Sequence, residues 1–260
     1  MFDLNTIVAQ TPYFMMVFIR ISAFMTFVPF FDNQNFLMEA RMGISFLLAL
    51  LIFPTLSVSS WVIPDNVPGF LLVVSQEVMV GILIGFTFMI LLSALQLAGR
   101  LVGFQMAFSM ANVVDPAFGE DSNIISVFLV MLGTLLVLTL GGDHLLLYSL
   151  GKSFSVLQPG TIAVTRTLIT DLSTMIIKAF EMGFRLAAPA VILLLCIDVT
   201  LGLIGKTSSK MQIFFVGLPL KISVGLFSIT LMLGFVLSIW GKEVARLPEY
   251  LLRFFSLMKV

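Results

Sequence analysis

Apolar residues in this chain gather in long unbroken stretches, and the stretches have the length of membrane crossings. A hydrocarbon core of about 30 Å needs about 20 helical residues, and runs of that order occupy about 12–30, 43–63, 70–98, 124–147, 172–205 and 211–240. Pro29, Pro64, Pro68 and Pro159 stand at or between their ends, as helix breakers do. Pro54, Pro189 and Pro219 stand inside, where neighbouring helices must satisfy the freed backbone groups. The pattern predicts an all-α, polytopic membrane fold of about six hydrophobic segments. The fifth run exceeds one straight crossing, with an amphipathic half at 172–185 before the apolar 186–204. In the sixth, Gly217 and Pro219 within FFVGLPLKI predict a broken or kinked segment. No fixed-period repeat, low-complexity tract or linker interrupts the chain, which reads as one domain over 1–260.

Composition agrees and removes several classes of function. Hydrophobic residues make up 59% and charged residues 11%, against about 25% charged in ordinary soluble domains. The 14 basic and 14 acidic residues cancel, which gives no reason to expect a nucleic-acid partner. Cys196 is the lone cysteine and lies in an apolar run, so no internal disulfide forms and a small buried hydrophobe is expected. His144 is the lone histidine, which rules out a multi-histidine metal site or an HExxH motif, and no catalytic centre or cofactor is expected. Its context, GGDHLLL, predicts a turn opening onto a helix with Asp143 as cap. No Lys or Arg precedes Arg20, so the basic region of a cleavable signal is missing and the first segment is expected to be retained. Lys152, Arg166, Lys242, Arg246, Arg253 and Lys259 on one side outnumber Arg41, Arg100, Lys206 and Lys210 on the other, which places the C-terminus in the cytoplasm. Residues 241–260, interrupted by Pro248, read as an amphipathic interfacial helix suited to anionic membrane lipid.

Ionisable side chains inside apolar runs are costly and mark candidate sites. Arg20, Glu77 and Asp198 are the clearest. Arg20 and Glu77 either pair across helices or line an aqueous path, and pairing or interfacial contact is the plainer reading. Lys178, Glu181 and Arg185 form a mixed stripe at helical spacing, suited to a seam between helices or subunits. Gly81 and Gly85, in GILIG, suit close helix packing.

The stretch from Gly99 to Ser126 is built unlike its neighbours. Gly99, Gly103, Ala107 and Ala111 recur at every fourth position, so on a helix they form one smooth strip for close backbone approach. Phe104 and Phe108 share a second face, and Met106 and Met110 a third. Asp115-Pro116 and Gly119 are the expected stop. Irregular backbone at membrane depth is tolerated only where protein buries it or where it lines a cavity. By the residues alone, the plainer reading is a connector packed by its own Phe and Met side chains, and the sharper one is a gate or plug.

Several stretches then carry a resemblance. RISAFMTFVPFF, EARMGISFLLALLIFP, QEVMVGILIGF, AGRLVGFQMAFSMANVVDP, GGDHLLLYSL, LAAPAVILLLCIDVTLGLIGK and MQIFFVGLPLKI occur in order from about residue 20 to 225. As an ordered set they resemble the flagellar FliR branch of the type III secretion export-gate family. Arg100 and Ser209-Lys210 depart from the pattern and put local contacts in doubt. The resemblance implies a non-enzymatic subunit that assembles with FliP and FliQ subunits, with FlhB around the entrance, into a channel for unfolded flagellar proteins. It implies a FliP-like portion over about 1–170, a FliQ-like hairpin over about 171–240 and a cytoplasmic tail over 241–260. It implies location in the bacterial inner membrane, at the flagellar basal body. It also turns the reading of Gly103 to Gly119 towards a plug, with Phe104, Met106, Phe108, Met110, Val113, Val114 and Phe118 as constriction residues. The equivalent subunit of a virulence injectisome is the alternative. A small-molecule or ion transporter is more remote, since no two related halves are visible.

Overall fold

The computed structural model describes residues 4–28, 37–58, 61, 63–64, 66–107, 123–207 and 213–259. Its helices are α1 (Leu4–Phe27), α2 (Met38–Ile52), α3 (Val67–Gln105), α4 (Ile124–Thr139), α5 (Gly142–Val156), α6 (Arg166–Thr207), α7 (Ile213–Ala245) and α8 (Leu247–Met258). Among the described residues, extended pairing is limited to one antiparallel bridge between Ile162 and Lys259. The fold is all-α. Four helical stretches are long and apolar enough to cross a membrane: Met38–Thr55, Val67–Gln105, Arg166–Lys206 and Val216–Met258, or five if α4 and α5 form one broken span. Most of the apolar window of α3 is buried, whereas those of the other three are largely exposed. Helix α3 is therefore a core element, and the others present apolar faces outward.

Several expectations change at this level. The sixth run continues through Pro219 without a break, as the fifth does through Pro189, which the sequence already places inside its run. A proline removes one donor, whereas ending a helix in apolar surroundings would leave several backbone groups without water or partner, so continuation costs less. Pro54 lies at the end of the Met38–Thr55 stretch, in the short 3-10 turn Phe53–Thr55 that closes α2. Asp143 does not cap α5, because Gly141, in the left-handed region at φ 69°, occupies the cap position. Asp143 instead pairs with His144 at the surface, 3.0 Å apart. Cys196 is exposed rather than buried, on the outward face of α6 beside Ile192, Leu195 and Val199.

The chain divides into two compact units. The first comprises 1–89, 141–174 and 245–260, and its helix α1 packs on α2 while α5 packs on α8. Close approach of α3 to α1 depends on the predicted small residues: a Cβ at Gly81 would meet the Arg20 carbonyl and Ala23, and one at Gly85 would meet Phe27. Helix α8 is strongly amphipathic, and its apolar face of Leu247, Leu251, Phe254, Phe255 and Met258 is buried. That face is filled by protein, so the tail is not the membrane-surface helix its pattern predicts. Its end is tied down by Ala163 N–H donating to the Met258 carbonyl at 3.0 Å and by Thr165 Oγ1 donating to the Leu257 carbonyl at 2.8 Å. Arg253 adds an ion pair to Asp171 at 2.7 Å.

The second unit comprises 90–140 and 175–244. The C-terminal part of α3 lies against α4, α6 and α7. Leu91, Leu95, Ala98 and Val102 are buried along it, and Trp240 of α7 donates its indole N–H to the Leu91 carbonyl at 3.2 Å. Gly133 of α4 leaves room for Leu95, and Gly183 of α6 for Leu97.

Candidate functional site

Two charge sites lie within apolar helices, one in each unit. In the first, Arg20 and Glu77 are fully buried and paired in bidentate fashion: Nε donates to Oε2 at 2.7 Å and Nη2 to Oε1 at 2.9 Å. Nη1 donates to Ser153 Oγ and Nη2 also to the Leu157 carbonyl, both at 3.0 Å. The guanidinium lies over the Phe154 ring, 4.2 Å from its centre, and Trp61 stacks beyond that ring. Four of the five N–H donors of arginine are thus used. The Leu157 carbonyl belongs to the C-cap of α5, where a cation also complements the helix dipole. The site binds α1, α3 and α5 together through a fully buried pair.

The second site is more open. Asp198 of α6 pairs with Lys221 of α7 through Oδ1 and accepts from Gln105 Nε2 through Oδ2 at 2.7 Å. The Lys221 side chain is 18% exposed and that of Asp198 38%. Gln105 is the last residue of α3, so this network joins three helices at the point where α3 ends.

The expected breakers Asp115-Pro116 and Gly119 lie outside the described residues, and α3 itself ends at Gln105. Met106 N–H still bonds the Val102 carbonyl at 2.9 Å, Ala107 N–H bonds the Phe104 carbonyl at 3.0 Å, and Ala107 takes a left-handed φ of 62°. Among the described residues, the predicted small-residue strip makes close contact at Gly99 and Gly103. A Cβ at Gly99 would meet the Ser126 backbone, and one at Gly103 the Asn123 side chain. Ala107 has left the helix, so it does not continue the strip, and Ala111 lies outside the described residues. Asn123 secures this seam from the other side. Its Oδ1 accepts from the Ile125 and Ser126 amides at the start of α4, and its Nδ2 donates to the Arg100 carbonyl at 3.3 Å. Ser126 Oγ donates to the Gln96 carbonyl at 3.0 Å.

Comparison with known proteins bears on this arrangement directly. The family described as "Bacterial export proteins, family 1" matches residues 11–247. The chain belongs to that family. It is 34% identical over 228 residues to the flagellar biosynthetic protein FliR of Bacillus subtilis (strain 168), covering 85% of this chain and 86% of that one. It is 29% identical over 235 residues to FliR of Caulobacter vibrioides, covering 90% and 93%. The surface presentation of antigens protein SpaR of Salmonella typhimurium is 25% identical over 251 residues, covering 95% and 90%.

Within this export-family chain, the expected constriction residues divide. Phe104 is 70% exposed, whereas Met106 is fully buried against Gly225 of α7, where a Cβ would strike its side chain. Phe108, Met110, Val113, Val114 and Phe118 lie outside the described residues. Lys178, Glu181 and Arg185 share an exposed face of α6. Sequence reasoning missed Gln105, Asn123 and the role of Lys221. Asn123 had a signal, since an asparagine directly before an apolar run is a helix start; a single glutamine inside a helical run had none.

Proposed function

We propose that this chain is a core subunit of the flagellar type III protein export gate. It joins FliP and FliQ subunits, with FlhB at the entrance, in a channel that passes unfolded flagellar proteins across the bacterial inner membrane at the basal body. The observation that carries this reading is the match to FliR proteins over most of both chains. The outward faces fit it: Ile124, Val127, Met131 and Leu135 on α4 and Phe227 and Leu231 on α7 are exposed and apolar, as partner helices or lipid require. Residues 1–170 form the FliP-like portion, 171–240 the FliQ-like hairpin and 241–260 the cytoplasmic tail. The role is passage rather than catalysis, and Gly103 to Gly119 acts as the plug. An apolar constriction stops ions by dewetting, while unbranched methionine reshapes around varied side chains.

Deleting the gene should abolish flagellar filaments and motility, and the tagged chain should bring down FliP-like and FliQ-like subunits from membranes. Recovery of a monodisperse lone monomer with transport activity overturns the reading. The similarity to SpaR favours a second reading, the equivalent subunit of a virulence injectisome. Normal motility with lost secretion of injected proteins selects it.

A further inference from the structure

A cavity of about 200 Å³ opens in the second unit between α3 and α6, and neither of the two charge pairs uses it. Ser93, Gln96 and Arg100, three and four positions apart, form one wall from α3, and Leu97, Ala179 and Phe180 complete the lining. Ser93 already spends its hydroxyl proton on the Ile90 carbonyl at 2.7 Å. Donors for a ligand therefore come from the Gln96 amide and the Arg100 guanidinium, and both residues are exposed. Lys178, next to Ala179 on α6, is exposed as well, as is Arg185; among the described residues, the acid that shares their stretch of helix is Glu181. Positive charge thus exceeds negative around the cavity, which suits an anionic group.

The surface beyond the cavity indicates what such an anion is attached to. Helix α6 changes character at Arg185: residues 178–185 carry three charges, whereas in 186–204 Asp198 is the one ionisable residue, and it is paired with Lys221. A changeover from charged to apolar residues marks where a membrane helix meets the headgroup layer. Past it, Phe184, Ile192, Leu195 and Val199 are exposed at helical spacing, and the last three line an apolar groove of about 410 Å³ with Cys196. From Phe180 to Ile192 the helix rises about 18 Å at about 1.5 Å per residue, close to half of a hydrocarbon core of about 30 Å. A cationic cavity at the changeover and an apolar groove one leaflet away match the two ends of a phospholipid.

We propose that this cavity is a binding site for an anionic phospholipid: Arg100 and Gln96 hold the phosphate, Lys178 adds charge at the rim, and an acyl chain lies along the outward face of α6 to the groove at Cys196. Basic pockets between membrane helices hold anionic headgroups in this way. Lipid binding here requires only that α6 and α7 lie in the membrane, and it is independent of the export role.

The test uses the full chain purified with the FliP-like and FliQ-like subunits of its own genome and placed in nanodiscs of phosphatidylcholine and phosphatidylglycerol in equal parts. One of the two lipids carries a photoactivatable group on its acyl chain, and crosslinks are mapped by peptide mass spectrometry. In wild type, the phosphatidylglycerol probe should label residues 180–199 several-fold more than the phosphatidylcholine probe. Arg100→Gln combined with Lys178→Gln should abolish that preference at normal complex yield, Arg100→Lys should keep it, and Lys206→Gln, at the far end of α6, should match wild type. Equal labelling by the two probes in wild type, or an unchanged preference in the double variant, overturns the proposal. If the double variant fails to assemble, competition on wild type decides. Unlabelled phosphatidylglycerol should suppress the crosslink, whereas suppression by inorganic phosphate assigns the cavity to a free anion and overturns the lipid. Absence of labelling by either probe, with 178–185 crosslinked to a partner subunit instead, assigns this face to protein contact and also overturns it.

Discussion

The Arg20–Glu77 and Lys221–Asp198 pairs start from the same sequence feature, a charge inside an apolar run, and end as different devices. The first is sealed: both side chains are fully buried, and the cation also serves a hydroxyl and a carbonyl while lying on an aromatic ring. The second is partly open, and its acid is shared with a neutral side chain from a third helix. Burial sets the consequence of disturbing each. A sealed pair holds its unit together because either charge left alone has nowhere to go, whereas an open pair can recruit water and is free to serve position.

The comparison breaks most sharply at Glu77. Glu77→Ala leaves a guanidinium buried without its carboxylate, a loss of roughly 3–5 kcal/mol. The chain should fail to accumulate in membranes, as read by its steady-state level. Arg20→Met combined with Glu77→Leu removes both charges and should recover much of that level; wild-type accumulation of Glu77→Ala alone would show that the pair is dispensable. Next in size is Gly99→Leu, which drives a side chain into the Ser126 backbone at a cost of about 1–3 kcal/mol or more. It should lower the yield of assembled complex at every pH tested, and normal yield would place the α3–α4 seam elsewhere.

Asp198→Asn should be milder, about 1–2 kcal/mol, because the site is partly open and the amide still accepts from Gln105. Accumulation close to wild type is expected; a collapse as deep as that of Glu77→Ala would erase the distinction between the two pairs. The smallest effect belongs to Asn123→Ala. Losing a helix cap costs about 1 kcal/mol, which should appear as a drop of a few degrees in the melting temperature of the purified complex with assembly intact.

The sequence made legible what depends on composition and spacing. Long apolar runs announced helices, Gly81 and Gly85 announced a close approach, and Arg20, Glu77 and Asp198 stood out as charges needing an explanation. It did not announce features decided by partners distant in the chain. Gln105, the last residue of α3, bonds Asp198, 93 positions away, a contact that no local pattern announces. Pro219 misled, since an apolar environment favours continuing a helix through it. Cys196 was expected inside by its apolar neighbours, yet in a chain whose outer surface is itself apolar, hydrophobicity no longer tells inside from outside. The same ambiguity hid the fate of α8, whose apolar face fits a membrane surface and a protein groove equally well.

The order in which the chain is made gives the three-part construction of the first unit a further meaning. Residues 1–89 leave the ribosome early, yet the Ser153 hydroxyl and Leu157 carbonyl that complete the Arg20 site come much later, and the α8 face that covers α5 later still. Until residue 157 has been made, Arg20 and Glu77 lack part of the shell that surrounds them in the folded chain. A nascent chain arrested before residue 245 should therefore be recognisable to membrane proteases as incomplete, which makes the arrival of α8 a natural checkpoint for releasing the subunit into assembly.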